Sequence, residues 1–156
     1  MAGDIVSKAV RRRMMQAVRR RDTEPELAVR RVIARIGIRH RRSGAALPGS
    51  PDVANISKRW AIFVHGCFWH GHPNCRKTKG GASGRIPASN REFWAKKIAA
   101  NRERDARKSR QLRQREFRVL TVWECQSRDA VKLERTLNRF FAKVASPKPP
   151  RKRTTE

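Results

Sequence analysis

Apolar residues recur along this chain at two spacings, and each change of spacing marks a new element. Leu27, Val32, Ile33 and Ile36 follow Thr23-Glu24-Pro25-Glu26, which has the shape of a capping box with proline in the first turn. Gly37 stops that helix. Pro48-Gly49-Ser50-Pro51 is a rigid turn into two short runs, Asp52 to Ile56 and Trp60 to Val64, joined as a hairpin through Ser57-Lys58-Arg59. A long helix starts near Ser89, which can cap it with Glu92 three positions on, and runs past Leu112. Phe117 to Trp123, branched and aromatic, is the clearest strand. A last helix carries Leu133, Leu137, Phe140, Phe141 and Val144 at three- and four-residue spacing. This order predicts an α/β or α+β layer with helices on both faces of a sheet.

Composition limits the picture to one domain, residues 22–145, between two basic ends. Residues 1–21 form an arm containing Arg11-Arg12-Arg13 and Arg19-Arg20-Arg21. Ser7 can cap a helix there with Met14, Met15 and Val18 on one side, or the arm is unstructured. Residues 146–156, rich in proline and basic residues, read as a disordered tail. Arg76 to Ser89 reads as a mobile loop. Lys and Arg number 39 against 13 acids, a net charge of +26. Self-repulsion of that size calls for a polyanion, and nucleic acid is the first candidate. A membrane surface ranks below it, because no signal peptide and no apolar run of about 18 residues is read. The longest apolar run, Trp60 to Val64, has strand length.

Chemistry concentrates between His65 and Cys75, where three of the four histidines and two of the three cysteines fall within eleven residues. Three cysteines cannot all pair as disulfides, and histidine neighbours point to metal or catalytic chemistry in a reducing compartment, with cytoplasm as the default. Zinc takes four nitrogen or sulfur ligands in a tetrahedron. Cys67, His72 and Cys75 supply three, and Cys125, just past the strong strand, can close the site. The alternative is that the cysteines are small buried apolar residues and the histidines surface polar groups.

That ligand set leaves His65 and His70 for other work. With Lys58-Arg59 as a two-residue turn, cross-strand partners sum to 117, and Asp52 faces His65. A carboxylate suits magnesium, and a neighbouring imidazole can orient or deprotonate water; the plainer reading of Asp52 is a turn cap. Trp94, Ile98, Asn101 and Asp105 follow steps of four, three and four along one helical stripe. Taken alone, Asp105 is an ion-pair partner for Arg102, Arg104 and Arg107, and Trp94 is core. Phe68 and Trp69 sit in a Gly-containing loop, and aromatics exposed on a basic surface can stack on bases or wedge between them.

At this point the residues match a known family. Arg21-Asp22-Thr23-Glu24-Pro25-Glu26, Leu47-Pro48-Gly49-Ser50-Pro51-Asp52, Ile62-Phe63-Val64-His65-Gly66-Cys67-Phe68-Trp69-His70, Glu92-Phe93-Trp94 and Val122-Trp123-Glu124-Cys125 resemble the very short patch repair (Vsr) mismatch endonucleases, in order and at similar spacing. The resemblance implies an α/β, restriction-endonuclease-like core, a central mixed sheet flanked by helices, with a structural zinc. It implies a monomeric, magnesium-dependent endonuclease of the prokaryotic cytoplasm, nucleoid-associated, with mismatch-repair proteins as partners. Its substrate would be double-stranded DNA, nicked 5′ to the thymine of a T:G mismatch. By similarity Asp52 and the main chain of Val64 hold magnesium, and His70 activates water. His65 and Asp105 support His70, and Glu26 is an accessory acid. Cys67, His72, Cys75 and Cys125 hold zinc, and Phe68, Trp69 and Trp94 intercalate. The restriction-type Glu-x-Lys after the aspartate is missing, as in the family, so His65 stands where lysine would. Many members carry threonine before this histidine, whereas Val64 can offer only its backbone.

Two other readings compete. A non-catalytic, zinc-stabilised DNA-binding protein explains charge, cysteines and aromatics but gives Asp52 and Asp105 no task. An RNA-binding, ribosomal-type protein is supported by charge alone.

Overall fold

Strand alternation sorts the apolar residues onto two faces of one sheet in the computed structural model, which describes residues 7, 9, 10, 12, 13, 21–42, 46–73, 75 and 90–146. The elements are α1 (Glu24–Arg35), β1 (Arg41–Arg42), β2 (Val53–Asn55), β3 (Trp60–His65), α2 (Arg91–Gln114), β4 (Arg118–Trp123), α3 (Glu124–Ser127) and α4 (Ala130–Ala145). The sheet runs β1-β2-β3-β4. Its first three strands are antiparallel, and β4 lies parallel to β3, a pairing that needs the long crossover supplied by α2. The expected mixed sheet with flanking helices is present.

On one face Val53, Trp60, Ile62 and Val122 meet Val29, Val32 and Ile33 of α1 and Leu133, Leu137, Phe140 and Phe141 of α4. Trp60 touches Phe141 edge-on, ring centroids 5.0 Å apart. On the other face Ala54, Ala61 and Phe63 pack with Leu47, Leu112 and Phe117. Burying each such large side chain contributes about 1.5–3 kcal/mol, so the periodicity that predicted α4 is also what fastens it. Asp129 starts α4 by accepting from Lys132 N–H at 3.0 Å.

Three expectations need correction or placing. The hairpin register sums to 115, pairing Val53 with Ile62 and Asn55 with Trp60. Asp52 therefore does not stand opposite His65. The turn is wider because Asn55 Oδ1 accepts from Lys58 N–H at 2.9 Å and Arg59 takes φ +50°, a local side-chain bond that displaces the two-residue turn. A shift of two keeps both residues on the same face of the sheet. The capping box of α1 is also altered. Thr23 caps no backbone amide; its hydroxyl donates instead to Glu26, whose other oxygen accepts from Asp22 N–H, both at 2.9 Å. Gly37, at φ +73°, follows α1 as expected. Finally, Asn90 stands at the N-cap of α2, and Ser89, the expected cap, lies outside the described residues, as do 76–88, 147–156 and most of the arm. Within the arm, Ser7 Oγ accepts from Val10 N–H at 3.3 Å.

Candidate active site and metal centre

The C-terminal end of β3 and the turn after it, the first residue of α3, the turn before β2, the start of α1 and the middle of α2 enclose a cavity of about 540 Å³. Glu26, Asp52, Val64, His65, His70 and Asp105 all line it, so six residues spread over eighty positions share one space. Asp52 is held by Val64 N–H, which donates to Oδ2 at 2.7 Å. Burial pushes the Asp52 carboxyl up to about 6; the Val64 bond opposes this and the Glu26 charge adds to it. A half-buried carboxylate left this short of positive partners is the donor that a hard divalent cation satisfies. Glu26 itself is committed to the protein, since Arg30 also donates to it at 3.1 Å.

Beside Asp52 stand two imidazoles. The His65 and His70 rings are stacked, centroids 4.0 Å apart and planes 9° apart. His70 Nδ1 bonds Asp105 Oδ2 at 2.5 Å, so Asp105 serves the histidine and not the neighbouring arginines. The Nδ1 proton faces the carboxylate, which leaves Nε2 as the acceptor. Burial, then the neighbouring His70, lowers His65 to about 4, with Asp105 pulling the other way. The ligand atoms of His65, His70 and Asp105 also lie within 4.8 Å of one another. Parallel ring planes, however, keep the two in-plane lone pairs from converging on one ion. The trio is built as a hydrogen-bonding unit.

Cys67, His72, Cys75 and Cys125 form a second cluster, their ligand atoms within 4.8 Å of one another. His72 Nδ1 is 3.7 Å from Cys67 Sγ and 3.4 Å from Cys125 Sγ. Zinc bonds of about 2.3 Å to sulfur and 2.0 Å to nitrogen give tetrahedral edges of about 3.5–3.8 Å. The donor set and spacing fit a structural zinc. The one-turn α3, which the sequence pattern did not predict, delivers Cys125 here, with its N–H 3.4 Å from Cys67 Sγ. Without an ion, burial pushes the Cys67 thiol up to about 12.

Trp123 joins the two centres. It lies flat on His72, centroids 4.3 Å apart, and edge-on to His65 at 5.5 Å. Phe68, Trp69 and Trp94 meet as a half-buried cluster with centroid separations of 5.1 to 5.9 Å. Asn101 anchors the loop by donating to Trp69 O at 2.8 Å. Lys97 lies over Trp69, Phe93 and Trp94, and Phe93 is 55% exposed. Sequence reasoning did not single out Trp123, Lys97, Phe93, Glu124 or Lys108 as site residues. Trp123 was findable as the strand residue two before Cys125, and Lys108 as the next step of the Trp94–Asp105 stripe.

The model of the DNA mismatch endonuclease Vsr family matches residues 3–77. The type II nicking enzyme V.XorIIP of Xanthomonas oryzae pv. oryzae is 45% identical over 138 residues, 88% of this chain and 96% of that protein. The DNA mismatch endonuclease Vsr of Escherichia coli is 41% identical over 130 residues, 83% of this chain and 79% of that protein. The type II nicking enzyme V.NmeAIP of Neisseria meningitidis is 34% identical over 141 residues, covering 90% and 96%.

Proposed function

The chain belongs to the Vsr DNA mismatch endonuclease family, and from that premise we propose that it nicks one strand of duplex DNA 5′ to the thymine of a T:G mismatch. The observation that carries this reading is the single cavity lined by Asp52 and the His70–Asp105 pair, with Trp69 of the aromatic cluster on the same wall. We read the mixed sheet between helices as a restriction-endonuclease-like core, acting as a monomer in the cytoplasm. No helix among the described residues is long and apolar enough to cross a membrane.

Asp52 and the Val64 main chain would hold magnesium, which when bound supplies Lewis acidity at the phosphate and its attacking water. His70 accepts the water proton at Nε2, and Asp105 stabilises the imidazolium that results. His65, neutral and stacked on His70, fixes the plane of that ring. Cys67, His72, Cys75 and Cys125 would hold zinc and so brace the loop bearing Phe68 and Trp69. These aromatics, with Trp94, test base stacking. A wobble pair is cheaper to unstack than a matched pair, by a fraction of the few kcal/mol involved. Glu26 acts at a distance, by ordering the start of α1 beside the cavity. The charge of +26 collects duplex DNA, and mismatch-repair proteins are the expected further partners.

A nicking assay on end-labelled duplexes, T:G or T:A at one position, with and without magnesium, tests the proposal. One cut 5′ to the mismatched thymine, only with T:G and only with magnesium, is expected. Equal cutting of both duplexes would favour a sequence-directed nickase, and an uncut T:G duplex across several contexts a binding module.

A further inference from the structure

The inward stripe of α2 carries one cation. Trp94, Ile98, Asn101, Asp105, Lys108 and Leu112 follow steps of four, three, four, three and four, and all are buried or half-buried. Arg102, Arg104, Arg107, Arg110 and Arg113 of the same helix are exposed, so the helix had positions in solvent for its charge. Of these only Arg104 also lines the cavity that holds Asp52, His65 and His70, whereas Lys108 lines it from a half-buried position on the inward stripe.

Its stem has a built seat. Gly49 sits at φ +83°, and a Cβ there would lie 3.0 Å from Lys108 Cδ and 3.1 Å from Phe63 Cε1. The lysine chain occupies the space that glycine leaves. Its ammonium has no ion pair or hydrogen bond among the described residues, although four carboxylates line the same cavity. Each is engaged elsewhere: Glu26 with Asp22, Thr23 and Arg30, Asp52 with Val64, Asp105 with His70, and Glu124 with Arg128. A lysine that is held by its stem and offered no internal anion is set to receive one from outside.

We propose that Lys108 binds a non-bridging oxygen of a cleaved-strand phosphate, the scissile one or an immediate neighbour, and so seats the backbone over Asp52. This rests on the nuclease reading above and adds to it a lysine delivered one turn beyond Asp105 on α2. Lys108 is a substrate-positioning residue whose contact is sequence-independent.

The test couples the side chain to single phosphates. Zinc-loaded parent, Lys108→Met and Lys108→Arg proteins are titrated, without magnesium, with a T:G duplex. The same titration is run with three duplexes carrying one neutral methylphosphonate, at the scissile phosphate or on either side of it. Lys108→Met should weaken binding of the all-phosphate duplex about tenfold and lower the salt slope by about one. That loss should shrink below about twofold on one of the three methylphosphonate duplexes, and Lys108→Arg should bind within about threefold of the parent. Parent-like affinity for Lys108→Met, or the same loss on all three modified duplexes, overturns the proposal. Zinc content and melting temperature identify a misfolded Met variant, in which case Lys108→Gln replaces it. Parent nicking in magnesium is run in parallel. Coupling without nicking overturns the nuclease reading alone, and nicking without coupling overturns the role of Lys108 alone.

Discussion

His65 and His70 lie face to face, ring centroids 4.0 Å apart and planes 9° apart. Two imidazolium ions cannot share that separation in a partly desolvated site, because burial and like charge both disfavour the second proton. The burdens fall unequally. His65 is pushed down to about 4, while His70 Nδ1 faces the Asp105 carboxylate at 2.5 Å. Burial and the stacked neighbour thus make His65 a neutral plate beside the His70–Asp105 pair.

The same pair predicts a hidden pH dependence. His65 has a folded pKa near 4, below its ordinary 6.5, so the unfolded chain binds more protons between those values and stability falls on acidification. Asp52 has a folded pKa near 6, above its ordinary 3.8, so the native state binds more protons there and stability rises on acidification. Over the shared window the two slopes oppose each other. Relative to the parent, His65→Asn should gain about 1–2 kcal/mol as pH falls from 6.5 to 5, and Asp52→Asn should lose about as much. Urea unfolding of magnesium-free protein at both pH values checks this. Divergence of both variants in the same direction would refute it.

Asp52 should also show opposed effects on stability and activity. At pH 7.5 without magnesium its ionised carboxylate is partly desolvated at a cost, so Asp52→Asn should raise stability by about 1–3 kcal/mol, seen as a higher melting temperature. Asp52→Ala should abolish nicking of a T:G duplex while leaving DNA affinity within about threefold, since affinity rests mainly on basic groups. A variant that still cuts would move the metal site elsewhere.

Removing a zinc ligand should act on the fold first. Cys125 stands 58 positions from Cys67 and is brought to it only by β4 and α3. Cys125→Ser should lower bound zinc from one per chain to well below half. It should destabilise the domain by several of the about 10–16 kcal/mol that structural zinc releases on binding. Metal analysis and thermal melting report the two quantities separately. Parent protein carrying no zinc after chelator-free purification would refute the four-ligand assignment.

The aromatic cluster yields a specificity prediction. Trp69 is half-buried, touches Phe68 and Trp94, and lines the cavity. Trp69→Ala should reduce the preference for T:G over T:A duplex by about tenfold or more, because one stacked base contributes about 1–3 kcal/mol. Single-turnover rates on the two duplexes measure the ratio. An unchanged ratio with both rates lowered would make Trp69 a structural residue.

Legibility from sequence followed the range of the interactions. The stripe from Trp94 to Asp105 and the Leu133 to Phe141 face were readable because helical period and burial are local matters. The run from His65 to Cys75 was readable because its spacing is compact. The hairpin register was misread by two residues because Asn55 bridges the turn through its side chain, which no pattern of apolar residues reports. Trp123 and Lys108 escaped notice for another reason. Each looks like ordinary strand or helix composition until the parallel β3–β4 register sets Trp123 beside His65 and the fold turns Lys108 toward Gly49.

Two glycines provide an internal comparison for the last prediction. Gly37 and Gly49 both hold positive φ, +73° and +83°, but a Cβ on Gly37 meets nothing within 4 Å, whereas one on Gly49 meets Lys108 and Phe63. Gly37→Ala should therefore cost only the left-handed backbone penalty, about 1–2 kcal/mol. Gly49→Ala should cost that plus the displacement of two packed side chains, about 1 kcal/mol more. In a Lys108→Ala background the contact with Cδ is gone while those with Cβ of residue 108 and with Phe63 remain, so the extra cost of Gly49→Ala should fall by about 0.5 kcal/mol, a coupling large enough to resolve in a double-mutant cycle. Urea unfolding of the four proteins in that cycle, with Gly37→Ala as control, measures it. Equal costs for Gly49→Ala in both backgrounds would mean that the lysine stem beyond its Cβ does not rest on Gly49.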